Sequence, residues 1–546
     1  MKRKIIYLFT IFFLFTGLIF SQKVSYGEKI MICAHPLAAK AGIKVFHEGG
    51  NVVDVAVATA YALGVVEPYG SGIGGEGMMI IYQSKEKKFV VIDFKAIAPK
   101  LANYDNLNFK DLSSWSRTIK GASVPGAVAG LELALEKFGK IDRKKVIQPA
   151  IDYALNGFEV DSSLALNLIT YKKFLDNDEY SKKIYYPNGE PLKRGDKVIN
   201  KDYGKTLIEI RDNGAEAFYK GKIADKIVKD SKKNGGFITK EDLLSYKPII
   251  REPLIGEYKG YKIVTTPPPC GGMHLIEALN MLSFFNLSFC RDYNEYSIHI
   301  LSEVFKRMFI DEATFNADPE FYNVPVNKII SKDFAFQRFK EINLSKPTDT
   351  KDIKIGVIGD KNTTHLTVMD IEGNTVTLTI TLSSLFGTSH TVEGCGFHLN
   401  NEMQNFNPDE NHPNSLKPHK RVVTSLVPTI VMKGDKPFLA TGTPGGDLIL
   451  STITQILVNV LDFNMELKNA MDYPRIFSTY YQPEIEVENR FSKNTVDFLS
   501  NMGYEFKSHT EYKAYFGAVQ SIMYDDKNRK LIGVSDVRRS GAAIGE

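Results

Sequence analysis

The chain has 546 residues, 43% of them apolar and 24% charged, with a formal net charge of +4. That is apolar residue enough for a large packed α/β assembly or a few average domains, and it excludes a disordered or collagen-like chain. The small charge and scattered basic residues (Lys137, Lys140, Arg143, Lys144, Lys145) exclude a nucleic-acid footprint and read as solvated helix faces.

Lys2-Arg3-Lys4 is basic, Ile5 to Phe20 is almost unbroken apolar sequence, and Ser21 is a small residue suited to cleavage. Residues 1–21 thus have the form of an export signal, which puts the mature chain in the periplasm or the medium. The stretch is short for a spanning helix, with an uncleaved anchor as the alternative.

Leu37, Ala38, Ala41, Val45 and Phe46 form a helical stripe that ends at Gly49-Gly50. Asp54 is expected to cap an apolar helix reaching about Val66. A glycine-rich loop, Gly70 to Gly77, then leads into a strand from Met78 to Tyr82. Gly70-Ser71-Gly72-Ile73-Gly74-Gly75 matches a dinucleotide fingerprint in form only. A helix precedes it and a strand follows, the reverse of the strand–loop–helix that would aim a helix N-terminus at phosphate. No cofactor is expected, and the loop is read as letting backbone pass close to a strand or substrate.

Further helices are predicted over 126–138, 144–156 and 222–234, with a capping box at Thr239 and Asp242 opening another. A helix from His274 to Phe285 follows Pro267–Pro269 and Gly271-Gly272. Cys33, Cys270, Cys290 and Cys395 are too scattered for a disulfide framework or a zinc knuckle, and no HExxH is present. Unpaired, mostly buried thiols and no metal are expected.

From Thr363 the pattern becomes strand-like. Leu366 and Val368 share one face, His365, Thr367 and Met369 the other. After a turn at Ile371–Asn374, Val376, Leu378, Ile380 and Leu382 alternate with Thr375, Thr377, Thr379 and Thr381, which predicts a hairpin. Pairing Asp370 with Thr375 would set Thr363 opposite Leu382 and beside the Thr381 hydroxyl. The Asn- and Pro-rich stretch from Asn405 to Lys417 is expected to be an exposed loop. Gly442–Asp447 lies between a strand at 437–440 and an apolar run at 448–460, so the unshielded N–H groups of Gly445 and Gly446 could form an oxyanion hole or merely start a helix.

A threonine hydroxyl is fully protonated at neutral pH and a poor nucleophile. A cut after Asn362 would leave Thr363 with a free α-amine beside its hydroxyl, uniting nucleophile and base in one residue.

Taken in order, the motifs resemble the γ-glutamyltransferases of the N-terminal nucleophile hydrolase superfamily. They are His35-Pro36-Leu37-Ala38, Gly49-Gly50-Asn51, Gly72 to Gly75, Val124-Pro125-Gly126, Gln148-Pro149-Ala150, Pro267 to Pro269, Gly271-Gly272, Thr363-Thr364-His365, Asn400-Asn401, Lys420-Arg421, Pro444-Gly445-Gly446 and Ser535-Asp536. The resemblance implies a four-layer αββα sandwich of the α/β (α+β) class, made from one precursor that cuts itself at Asn362–Thr363. Residues 22–362 would form a large subunit and 363–546 a small one, together a heterodimer. It also implies that Thr363 attacks γ-glutamyl amides such as glutathione and passes the acyl group to water or to an amino acid or peptide. Gly445 and Gly446 match the oxyanion donors, and Thr381 matches the partner of the nucleophile. Thr424 and Ser425 match the pair holding the α-carboxylate, and Glu402 the contact to the α-amine.

Three positions depart from the family pattern. Lys95 replaces an arginine that clamps the α-carboxylate, keeping the charge without the bidentate fork. Asn405 replaces an aspartate that pairs with the α-ammonium, and Ser383 replaces an asparagine. Asn405, Ser383 and a short segment between 405 and 424 resemble the poly-γ-glutamate capsule depolymerases of the same family, the principal alternative. A β-lactam acylase and an inactive exported binding protein are the remaining readings.

Overall fold

The computed structural model describes residues 23–290, 292–350, 353 and 362–546, so the expected export signal lies outside the described residues. Two seven-stranded sheets form the centre. The first runs Ala542–Gly545, Lys29–Cys33, Asn362–Asp370, Thr375–Ser383, Glu76–Gln83, Lys88–Asp93 and Ile249–Arg251, every neighbour antiparallel. The second runs Val24–Gly27, Lys530–Ser535, Gln520–Asp525, Lys436–Thr441, Thr429–Lys433, Tyr261–Thr265 and Leu254–Tyr258.

Side-chain alternation along the strands divides the core. Met79, Ile81, Leu366, Val368, Val376 and Leu378 pack on one side against the helices Pro36–His47, Val52–Val66, Ala127–Phe138 and Arg143–Asn156. Met78, Ile80, Tyr82 and Met369 face the other way and join Ile263, Ile430, Leu439 and Ile522 of the second sheet. The helices Gly272–Leu282, Glu295–Phe315 and Leu448–Leu461 continue that cluster. The layers are helices, sheet, sheet, helices, the expected αββα sandwich. All four cysteines are free, and Cys33, Cys270 and Cys395 are buried.

Two expectations are corrected. The cap of the Val52–Val66 helix is Asn51, whose Oδ1 accepts from the Val53 and Asp54 amides at 2.9 and 3.1 Å. Asp54 instead completes the box by accepting from the Asn51 amide at 2.8 Å. The segment from Asn405 to Lys417 is exposed only over 408–411 and at Lys417. Phe406 and Leu416 are buried with Trp115, Met403 and Val422 in a small third cluster, because two apolar anchors outweigh the polar composition between them.

Candidate active site

The hairpin Asn362–Asp370 and Thr375–Ser383 carries the site. Its register is one residue away from expectation: Met369 pairs with Thr375 and Thr364 with Ile380. The turn is closed by Asp370 and Asn374, with the Asn374 amide donating to Asp370 Oδ1 at 2.8 Å, so the loop is one residue shorter than expected, at its second strand. At the far end the register slips between Asn362 and Thr364, and Asn362 pairs with Ser383. Thr363 sits in that irregularity, which re-aims its side chain out of the regular ladder. Its Oγ1 donates to Thr381 Oγ1 at 3.4 Å, and Thr381 Oγ1 also accepts from the Ser383 amide at 2.8 Å. Ser383 has a φ of +74°, a left-handed conformation rare for a residue with a Cβ.

Two residues outside the hairpin, Glu67 and Arg539, hold this strand and were not singled out in the sequence, and His365 of the matched motif supports it from within. Arg539 Nη1 donates to the Thr363 carbonyl at 3.1 Å. Thr364 Oγ1 donates to Glu67 Oε2 at 2.6 Å, and burial lifts the Glu67 carboxyl to about 7 despite Arg539 nearby. His365 lies among threonines, 2.8 Å from Thr379 Oγ1 and 3.2 Å from Thr377 Oγ1. Burial lowers its pKa to about 3, so the ring is neutral. Nothing distinguishes Glu67 in the sequence, since its partners Thr364 and Arg539 are about 300 and 470 positions away; the run of threonines facing His365 was the available signal for that residue's role.

The loop after Lys436–Thr441 passes over the hairpin, with Gly442 packed on the His365 ring so closely that a Cβ there would overlap it. Thr443 Oγ1 fixes the loop by accepting from the Ala518 amide at 3.0 Å. Gly445 and Gly446 follow at φ of +141° and +59°, conformations that favour glycine. They line a cavity of about 460 Å³ together with Tyr69, Asn167, Tyr481 and Arg539.

On the other flank, Lys95 Nζ donates to Glu76 Oε1 and, at 2.8 Å, to Thr424 Oγ1. Asn405 Nδ2 donates to Glu402 Oε2 at 2.6 Å and to Ser383 Oγ at 3.0 Å. Burial, then Glu402, push the Glu76 carboxyl up, and Lys95 opposes them. Burial opposes the Lys95 charge, while Glu76 and Glu402 outweigh it and hold the ammonium protonated. Ser425 turns away from this group, its Oγ donating to Glu312 Oε1 at 2.9 Å. Thr363, Thr381, Ser383, Asn405 and Glu402 thus form one continuous hydrogen-bonded path. Lys95 and Thr424 lie beside it, Gly445 and Gly446 border the cavity, and Ser425 joins through its chain neighbour only.

The glycine-rich loop serves backbone contact, as its sequence context implied. A Cβ at Gly75 would collide with the Thr381 carbonyl oxygen, and one at Gly74 with that of His398.

Residues 38–546 match the family model described as Gamma-glutamyltranspeptidase. The chain is 39% identical over 550 residues to a glutathione hydrolase proenzyme of Bacillus subtilis (strain 168), covering 96% of this chain and 92% of that protein. It is 32% identical over 520 residues to the capsule biosynthesis protein CapD proenzyme of Bacillus anthracis, covering 95% and 90%. Among solved structures, cephalosporin acylase from Bacillus halodurans matches with a TM-score of 0.87 at 27% identity, over 98% of this chain and 99% of that one.

Proposed function

The chain belongs to the γ-glutamyltranspeptidase family, and on that premise we propose that it is a self-processing enzyme that cleaves γ-glutamyl amides with Thr363 as nucleophile. The observation that carries this reading is the Thr363–Thr381 hydroxyl contact at the register slip. Proenzyme relatives support self-processing, and a cut at Asn362–Thr363 would divide the chain that follows the expected export signal into 22–362 and 363–546.

In the first reaction the Thr363 hydroxyl adds to the Asn362 carbonyl carbon. The peptide C–N bond breaks, the Thr363 nitrogen takes a proton, and an ester remains on Oγ. Water hydrolyses the ester, leaving the Asn362 carboxylate and a free Thr363 amine. In turnover that amine accepts the hydroxyl proton as Oγ attacks the donor's γ-carbonyl. Thr381 orients Oγ by hydrogen bonding. The Gly445 and Gly446 N–H groups are the proposed donors to the oxyanion, held by positive φ angles where no side chain can shield them. The amine leaves with the proton, and water or an acceptor amine releases the γ-glutamyl group from Thr363. Glutathione is the reference donor, after the glutathione hydrolase of Bacillus subtilis to which the chain is similar.

Asn405 favours a second reading, cleavage of poly-γ-glutamate. Its amide meets Ser383 and Glu402 without adding a charge, so it makes no demand for a free α-ammonium.

Gel and N-terminal analysis of wild type and Thr363→Ala test the proposal. Wild type should give two fragments, one beginning at Thr363, and the variant should stay whole and inactive toward a γ-glutamyl anilide. An uncut active wild type, or an active variant, overturns the mechanism.

A further inference from the structure

Glu76 opens its strand directly across from Thr381. Opposed residues of an antiparallel pair share a face, with Cβ atoms about 5 Å apart, so the Glu76 side chain stands beside the hydroxyl that touches Thr363. There it is committed to Lys95. One carboxylate oxygen accepts from Lys95 Nζ, and the other accepts from the Ala96 amide at 2.6 Å. Both side chains are fully buried. The next cation along, Arg421, lies 3.1 Å from Glu320 and 3.7 Å from Asp93 and is engaged in turn.

Glu402 brings a second carboxylate to this ammonium. Its Oε1 is buried without a hydrogen-bond partner, and so is Asn405 Oδ1. The group therefore holds one cation, two acidic side chains and two unsatisfied acceptors. It has no surplus positive charge for an incoming anion. A donor carboxylate would be the third on one ammonium and would have to displace Glu76, which its own backbone keeps at high effective concentration. The orphaned oxygens call for a hydrogen-bond donor instead.

We propose that Glu76 determines specificity by filling, from within, the position at which Lys95 would hold a substrate carboxylate. The preferred donors are γ-glutamyl amides whose α-carboxyl is uncharged, as a carboxamide or ester. This rests on the reading of Thr363 given above, and it disfavours donors with a free α-carboxylate, poly-γ-glutamate and glutathione alike.

The test compares kcat/KM for two p-nitroanilides of glutamate joined through the γ-carbonyl, one with an α-carboxylate and one with an α-carboxamide. Wild type should favour the carboxamide by about 10-fold or more, the scale of a charge-assisted contact. Glu76→Gln, which leaves Lys95 unneutralised, should move the ratio toward the carboxylate by about 10- to 100-fold. Parity or a carboxylate preference in wild type overturns the proposal, as does a folded Glu76→Gln with an unchanged ratio. If that variant does not fold, the wild-type ratio decides alone. Hydrolysis of neither donor by wild type overturns the γ-glutamyl reading itself, and this proposal with it.

Discussion

The Cα of Gly75 rests against the carbonyl oxygen of Thr381, leaving no room for a single methyl group between them. Gly75→Ala must push the strand that carries Thr381 away from Thr363. We expect the purified variant to accumulate uncut precursor, with self-cleavage slowed at least about 10-fold, since small misplacements of reacting groups cost factors of that size. A time course of fragment appearance on a gel checks this. Cleavage at the wild-type rate would show that the contact relaxes elsewhere.

Thr381 accepts hydrogen bonds from both the Thr363 hydroxyl and the Ser383 amide. Thr381→Ala removes one orienting contact worth about 1 kcal/mol and leaves a buried amide unpaired, so kcat should fall by about 10-fold or more. Thr381→Ser keeps the oxygen and should recover most of the loss. Steady-state kinetics on both variants distinguishes a hydroxyl effect from a packing effect.

His390 lies between Asp178 at 3.1 Å and Asp230 at 2.7 Å. Burial alone would lower its pKa, but the two carboxylates overrule that and raise it from 6.5 to about 9. A folded pKa above the unfolded value means stability that is complete below about pH 6.5 and lost as pH rises through about 9. The linked contribution is on the order of 3 kcal/mol. Melting temperatures should fall between pH 7 and 9.5 in wild type, and the fall should be smaller in His390→Asn.

His365 has the opposite sign. Its pKa is lowered to about 3 by burial, so it contributes stability above about pH 6.5 that is lost as pH falls toward 3. His365→Ala should cost about 2–5 kcal/mol at neutral pH, from the cavity and the unpaired threonine hydroxyls, and should flatten the acid limb. Chemical denaturation at pH 7.5 and pH 5 measures both effects.

The hairpin was legible because threonine and aliphatic residues alternate without interruption from Thr375 to Leu382, and a buried two-sided strand leaves that imprint. Its register was not, because Asp370 can close the turn with Asn374 as readily as with Thr375, and only the side-chain bond to the Asn374 amide decides. The cluster beside the nucleophile was half visible. Lys95 departs visibly from the family pattern, whereas its partner Glu76 closes a glycine-rich loop with no local motif of its own. A lone acid at that point, about to enter a strand buried on both faces, needed a cation, and Lys95 was one strand away. The anchoring of Phe406 and Leu416 was hidden by the polar residues around them, since composition averages over the two positions that matter.

The two prospective subunits are woven through both sheets. Lys29–Cys33 lies between Ala542–Gly545 and Asn362–Asp370, and Thr375–Ser383 borders Glu76–Gln83. In the other sheet Val24–Gly27 pairs with Lys530–Ser535, and Thr429–Lys433 with Tyr261–Thr265. Severing the chain before Thr363 would loosen none of these ladders, yet it would erase the connection by which they were first brought into register. The mature enzyme would then keep a shape it could no longer find again: heat or denaturant would send two strangers into solution, each with open strand edges, and the loss would run one way.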